Sequence, residues 1–186
     1  MAVSFSASGT ASAGGVQQSY ALTHAALLEG QLADIRDNTI GTYINETAVV
    51  LPFGNVQVYN VAGTVANSAT TISGATDTVL GVNVLTYVDE TALNGDLRPG
   101  VKVDQVLNVA NEGAVAVYVT GAVNPSSTVR VLYSASGTGK AGQFSHAFAS
   151  GKTVRLSGAR YLSSTTGAGL AILELNGPSF TLSADS

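Results

Sequence analysis

Cysteine is missing from this chain of 186 residues. That removes disulfides and thiolate chemistry together, and leaves stability to packing and to partners. Tryptophan is missing too, and aromatic residues make up only 6%. A sugar-binding platform of clustered ring faces therefore has little to be built from. Charge is also scarce, at 11% of residues against roughly 25% in an ordinary soluble domain. Ionised side chains are what normally keep a surface wetted and apart from its neighbours. Here Ser, Thr, Asn, Gly, Ala and Val must cover it, and these hydrate weakly and pack readily against another protein. With 45% hydrophobic residues and a mean hydropathy of +0.28, the composition points to a component of an assembly.

What charge there is argues against several partners. The net charge is −4, the pI is near 4.9, and no two of the eight Lys and Arg residues are adjacent. A nucleic-acid binder concentrates those residues on one face, so no nucleic acid is expected. No stretch approaches the roughly 18 to 20 apolar residues of a membrane-spanning helix. The first residues lack the basic and apolar regions of a secretory signal. Synthesis in a cytoplasm, with no membrane partner, is the expectation. A mass of 18.7 kDa predicts burial of roughly 70% of the unfolded chain's surface, enough for one core.

Along the chain, residues 1–15 are a low-complexity Ser/Ala/Gly run. Such a run is either a frayed terminus or an arm that orders on a partner. Residues 19–30 carry the one helical pattern, with Ser19 as cap, Leu22, Ala25, Ala26 and Leu28 as apolar stripe, and Gly30 as stop. From Thr47 onward the pattern is β. Ala48 to Leu51 and Val56 to Tyr59 flank a Pro52-Phe53-Gly54-Asn55 turn. Further strands are expected over Thr78 to Val88, Val101 to Leu107, Ala114 to Thr120, Thr128 to Tyr133, Thr153 to Leu156 and Leu170 to Leu175. Asn94-Gly95-Asp96, Arg98-Pro99-Gly100, Asn111-Glu112-Gly113, Asn124-Pro125 and Asn176-Gly177-Pro178 read as turns between them. Many short strands without alternating helices predict a mainly β fold. The form expected is an antiparallel β-sandwich or barrel, jelly-roll-like, with an extended N-terminal arm and one short helix. The division expected is an arm over 1–30 and a β domain over 31–186.

No catalytic set, cofactor site or metal site emerges. Gly137-Thr138-Gly139-Lys140-Ala141-Gly142 matches G-x-G-x-x-G, yet no helix of sufficient length follows, and the next acid is Glu174. A dinucleotide site needs that helix and an acid about 20 residues on, so a glycine-rich turn is the reading. Gly151-Lys152-Thr153 ends like a phosphate loop, but His146 stands where the first glycine belongs. His24 and His146 lie far apart, with no acid within four positions of either, against the clustering a metal needs. Ser145-His146 fails as nucleophile and base because adjacent residues of a strand point to opposite faces. Asp89-Glu90 reads as a solvated turn. Asp34 and Asp37 flank Arg36 as ordinary polar surface. Asn45-Glu46-Thr47 matches a glycosylation sequon by chance.

One stretch is distinctive. Gly30-Gln31-Leu32-Ala33-Asp34 is followed by Asn45-Glu46-Thr47-Ala48 and then Leu51-Pro52-Phe53-Gly54. This resembles the opening of the structural cement proteins of tailed bacteriophages, in which a G-Q-L-A-D or G-Q-I-A-D element precedes a P-F-G turn. Val79-Leu80-Gly81-Val82, Leu97-Arg98-Pro99-Gly100-Val101-Lys102-Val103 and the valine-rich run after Asn111-Glu112-Gly113 are similar too, so that residues 30 to 177 are covered. The lead before Gly30 is longer than the family's. The resemblance implies a non-enzymatic protein on the outer surface of a virion capsid. It would bridge major capsid subunits and hold the expanded shell against DNA pressure, as a homodimer or homotrimer. The capsid-contact candidates it suggests are Gln31, Leu32, Ala33, Asp34 and Phe53, with Phe53 either in the core or at an interface. A carbohydrate- or receptor-binding β module, such as a head fibre or adhesin, is the alternative.

Overall fold

The computed structural model describes residues 27–34, 37–86, 98–177 and 180–185. They form β1 (Thr39–Asn45), β2 (Leu51–Pro52), β3 (Val56–Tyr59), β4 (Ser68–Thr71), β5 (Val79–Asn83), β6 (Gly100–Val101) and β7 (Val106–Val119). β8 (Arg130–Leu132), β9 (Phe144–Ser145), β10 (Thr153–Ser157), β11 (Ala159–Tyr161), β12 (Gly169–Asn176) and β13 (Thr181–Ala184) follow. The mainly β expectation holds, and no α-helix occurs among the described residues. Residues 19–26 of the expected helix, and nearly all of the arm, lie outside them.

The strands β1-β4-β3-β5-β7 pair in that order, and β7 pairs back onto β1. They therefore close a five-stranded barrel. β7 makes the closure possible because it is long enough, at 14 residues, to serve two structures. Its first half pairs β1 from Ile44↔Val106 to Ile40↔Ala110, and β5 at Val82↔Ala110 and Asn83↔Val109. Its second half pairs β12 from Asn176↔Glu112 to Gly169↔Val119. β11 extends that ribbon, while β9, β8, β10 and β13 continue from the Val119↔Phe144 contact.

Strand alternation builds the larger core. Val115, Val117 and Val119 point one way from β7, all 0% exposed. They meet Leu173 and Ala171 of β12, and Val56, Val58, Val82 and Phe144 join the same cluster. A second, smaller cluster gathers Leu51, Phe53, Ala69, Val101, Leu107 and Val109. Each large side chain so buried contributes about 1.5–3 kcal/mol against exposure.

Three expectations change. Asn111-Glu112-Gly113 is no turn: β7 runs straight through it. Gly113 is required there for another reason, having φ 116° and an approach to Asn38 so close that a Cβ would lie 1.8 Å from its Oδ1. The strand expected over Val101 to Leu107 is two elements, broken at Asp104, whose φ is 58°. The turn expected at Pro52-Phe53-Gly54-Asn55 is present, and the strands it separates belong to different pairings, β2 with β6 and β3 with β4 and β5. The fold is also not wholly antiparallel, since β1 with β4 and β7 with β9 run parallel. β1, placed before the expected start of the β region, was hidden because Thr39–Asn45 buries only Asn45 fully. A barrel wall that is exposed or only half-buried up to its last residue shows no apolar alternation.

Candidate functional site

Three sequence elements that stand far apart meet at one junction. Gly30 N–H donates to the Ala116 carbonyl (2.8 Å) and the Gly30 carbonyl accepts from Leu85 (2.8 Å). Gly54 N–H donates to Asn83 (2.7 Å), and Phe53 N–H to Pro99 (3.1 Å). Gly30 and Gly54 are in direct apposition. A Cβ on Gly30 would lie 2.8 Å from Phe53 Cβ, 2.9 Å from Gly54 N and 3.0 Å from the Asn83 carbonyl. Gly30 also has φ 80°, a conformation that glycine adopts without steric cost. Fully buried Asn83 spans the join by donating its amide to the Leu51 (3.0 Å) and Pro52 (3.1 Å) carbonyls.

An ion pair sits in the same place. Arg98 pairs with Glu29 through Nε (3.2 Å) and Nη2, and also donates to Asn55 Oδ1 (2.8 Å). Both side chains are mostly covered, at 15% and 19% exposure. Burial pushes the Glu29 carboxyl above its ordinary value, and the Arg98 guanidinium holds back part of that rise. In a chain this poor in charge, a shielded pair marks a place whose geometry is specified. Nothing local in the sequence connects the two segments that carry the pair. The available signal was that Glu29 adjoins one of the resembling motifs and Arg98 stands within another.

The contact candidates divide by burial. Gln31 to Ala33 run along β7 through an isolated bridge: Leu32 bridges Val115, Ala33 N–H donates to the Ala114 carbonyl (2.8 Å), and the Gln31 carbonyl accepts from Ala116 N–H (2.8 Å). Gln31 is exposed, and its Oε1 accepts from the Leu28 N–H (3.0 Å). Leu32 is half-buried against the main core, and Ala33 and Asp34 are half-buried. Phe53 is 1% exposed and belongs to the smaller core. Of its two alternatives, the structure places it in the core, because the turn that carries it is drawn inward by Pro99 and Asn83.

The residues weighed for chemistry are occupied by local structure. Asn45 is 0% exposed and donates to Val49, Val101 and Lys102 carbonyls at 2.9–3.1 Å. The sequon is thus a buried clamp. Ser136 and Gly139 exchange two backbone bonds of 2.9 and 3.0 Å, making the glycine-rich stretch a tight turn. Ser145 Oγ donates to Ala147 O (2.7 Å), whereas His146 Nδ1 meets Thr120 Oγ1 (3.1 Å), so the two side chains do not work together. A shallow depression of about 280 Å³ is lined by Asp37, Glu112 and Glu174. Two of those acids are engaged, Glu112 by Thr39 (2.8 Å) and Glu174 by Arg160. Among the described residues no group of three His, Cys, Asp or Glu is placed to hold a metal. His24, Asp89 and Glu90 lie outside them.

Comparison with known proteins agrees with the resemblance. The sequence model of a family described as structural cement protein matches residues 16–176. Among solved structures, the chain is similar in fold to one reported as the capsid of Myoviridae phage XM1. The TM-score is 0.61 at 18% identity, covering 84% of this chain and 94% of that one. No curated protein matches.

Proposed function

The chain belongs to the family of phage structural cement proteins, and on that premise we propose that it decorates the outer surface of a tailed-phage head. There it bridges neighbouring major capsid subunits and stabilises the expanded shell. It acts without catalysis, through area and repetition: each contact is modest, and a symmetric lattice multiplies it through effective concentration. In this reading residues 1–30 are an arm and 31–186 the β domain, assembled as a dimer or trimer on the shell's local axes.

The observation that carries this reading is the junction. Gly30, Gly54 and the Glu29–Arg98 pair hold residues 29–34 against β7, so the lead before them departs from a rigid point. An arm fixed at its root loses less freedom on docking than one hung from a loose loop. The strip Gln31–Asp34 contacts the shell with Gln31 as its exposed side chain, and Phe53 supports it from inside by fixing the turn. Deleting residues 2–18 should weaken binding to empty expanded heads while the β domain keeps its thermal unfolding. Unchanged occupancy after that deletion would remove the arm from the account.

A further inference from the structure

We infer that the barrel carries a second capsid-facing footprint, formed by the wall around β1 and the turns beside it. The inference rests on the cement reading and names which face of the barrel meets the shell. Among the described residues, exposed large apolar side chains concentrate there: Ile40 (42% exposed), Val49 (58%), Val61 (88%), Val65 (38%), Val103 (40%) and Val106 (50%). Hydrogen bonds and strand pairing tie the segments that carry them together. The Glu46 carboxylate accepts from Thr64 Oγ1 and from the Val65 N–H (3.3 Å), tying the 60–67 loop to the end of β1. The Asn45 amide ties Val49 to the 101–103 segment, and Val106 pairs directly with Ile44.

Turns ordinarily present polar side chains to water; these present valine, and hold it still. Val61 lies in a turn closed by Gly63 N–H to Asn60 O (3.0 Å) and Ala62 N–H to Asn60 Oδ1 (3.2 Å). The Val49 carbonyl accepts from both Asn45 Nδ2 (2.9 Å) and Thr47 Oγ1 (3.0 Å). Val103 precedes Asp104, whose N–H donates to Asn45 O (2.7 Å). Preordered turns lose little entropy on docking.

The size of the surface selects its partner. The six side chains expose on the order of 500 Å², the scale at which a patch on a monomer is often functional. That falls short of the roughly 800 Å² per partner of a stable free-standing complex. A second copy meeting this wall in solution would be held weakly. A repeated protein lattice that already holds the chain elsewhere supplies what the area lacks. The occupant is therefore the outer face of a capsid subunit.

The test is addition of purified chain to empty expanded heads, with occupancy read at sub-saturating concentration. Val61→Asp, and Val61→Asp with Val103→Asp, should lower occupancy about tenfold or more while leaving thermal unfolding in place, since these positions are exposed. Phe148→Asp, at an apolar residue that is 46% exposed elsewhere, should leave occupancy unchanged. Wild-type occupancy in the Val61 variants overturns the proposal, as does an equal loss in Phe148→Asp. Dissociation of a free oligomer by the Val61 change, seen by sedimentation velocity, also overturns it by making the wall a self-contact. Failure of the wild-type chain itself to add to heads is a separate result, and it overturns the cement reading.

Discussion

Substituting Gly30 by Ala should loosen the junction. Two costs act together. Alanine at φ 80° is strained by about 1–2 kcal/mol. Its Cβ would also lie 2.8–3.0 Å from Phe53 Cβ, Gly54 N and Asn83 O. Two of those three atoms are backbone and cannot swing aside, so overpacking adds about 1–3 kcal/mol. The sum, about 2–5 kcal/mol, corresponds to a fall of roughly 5–15 °C in Tm for a domain of this size. Circular dichroism melting measures the total. Amide exchange locates it, because Leu85 N–H and Ala116 N–H bond to Gly30 and Gln31 and should lose protection first. Gly74→Ala is the control, since a Cβ there meets nothing within 4 Å. A Gly30→Ala melting curve that overlays both the wild type and the control, with those two amides still protected, would refute the reasoning.

Two further outcomes follow from the interior. The Glu29 carboxyl is raised by burial, so the folded chain holds its proton more tightly than the unfolded chain does. Its contribution to stability is present below the ordinary carboxylate value and is lost as pH rises through the raised one. Glu29→Gln should flatten that part of the stability–pH curve, measured by denaturant unfolding; an unchanged slope would contradict the assignment. Gln57 on β3 is 0% exposed, with neither amide atom bonded among the described residues. Removing a buried polar group that lacks partners recovers its desolvation cost, so Gln57→Met should stabilise by about 1–3 kcal/mol. Destabilisation in the same unfolding assay would show that the amide has a partner, such as buried water.

Much of the fold was legible locally. Val56–Tyr59 is a strand with the bounds expected, and the alternating valines of 114–120 have their buried face, because a period of two needs no knowledge of partners. β4, β9, β11 and β13 were not legible. They are two to four residues long, and each exists because a neighbour supplies its ladder. The glycines misled in one case: Gly113 stands inside a strand, where close approach of Asn38 demands it. Phe53 was undecided between core and interface, since a turn gives no inside or outside until it is docked. The motifs from Gly30 and Pro52 were visible singly, whereas their contact lies across more than twenty residues of chain and left no local trace.

By itself the amino-acid order determined the class of the protein. Scarce charge, no cysteine and repeated short β patterns are properties of composition and near neighbours; they point to a β-rich fold, and the motifs from Gly30 and Pro52 carry the resemblance to a capsid component. Tertiary structure alone decided the ring of β1, β4, β3, β5 and β7, the double use of β7, and the seating of Gly30 on Gly54. Each of these depends on pairing between distant segments, whose closure entropy is repaid only when the whole barrel forms.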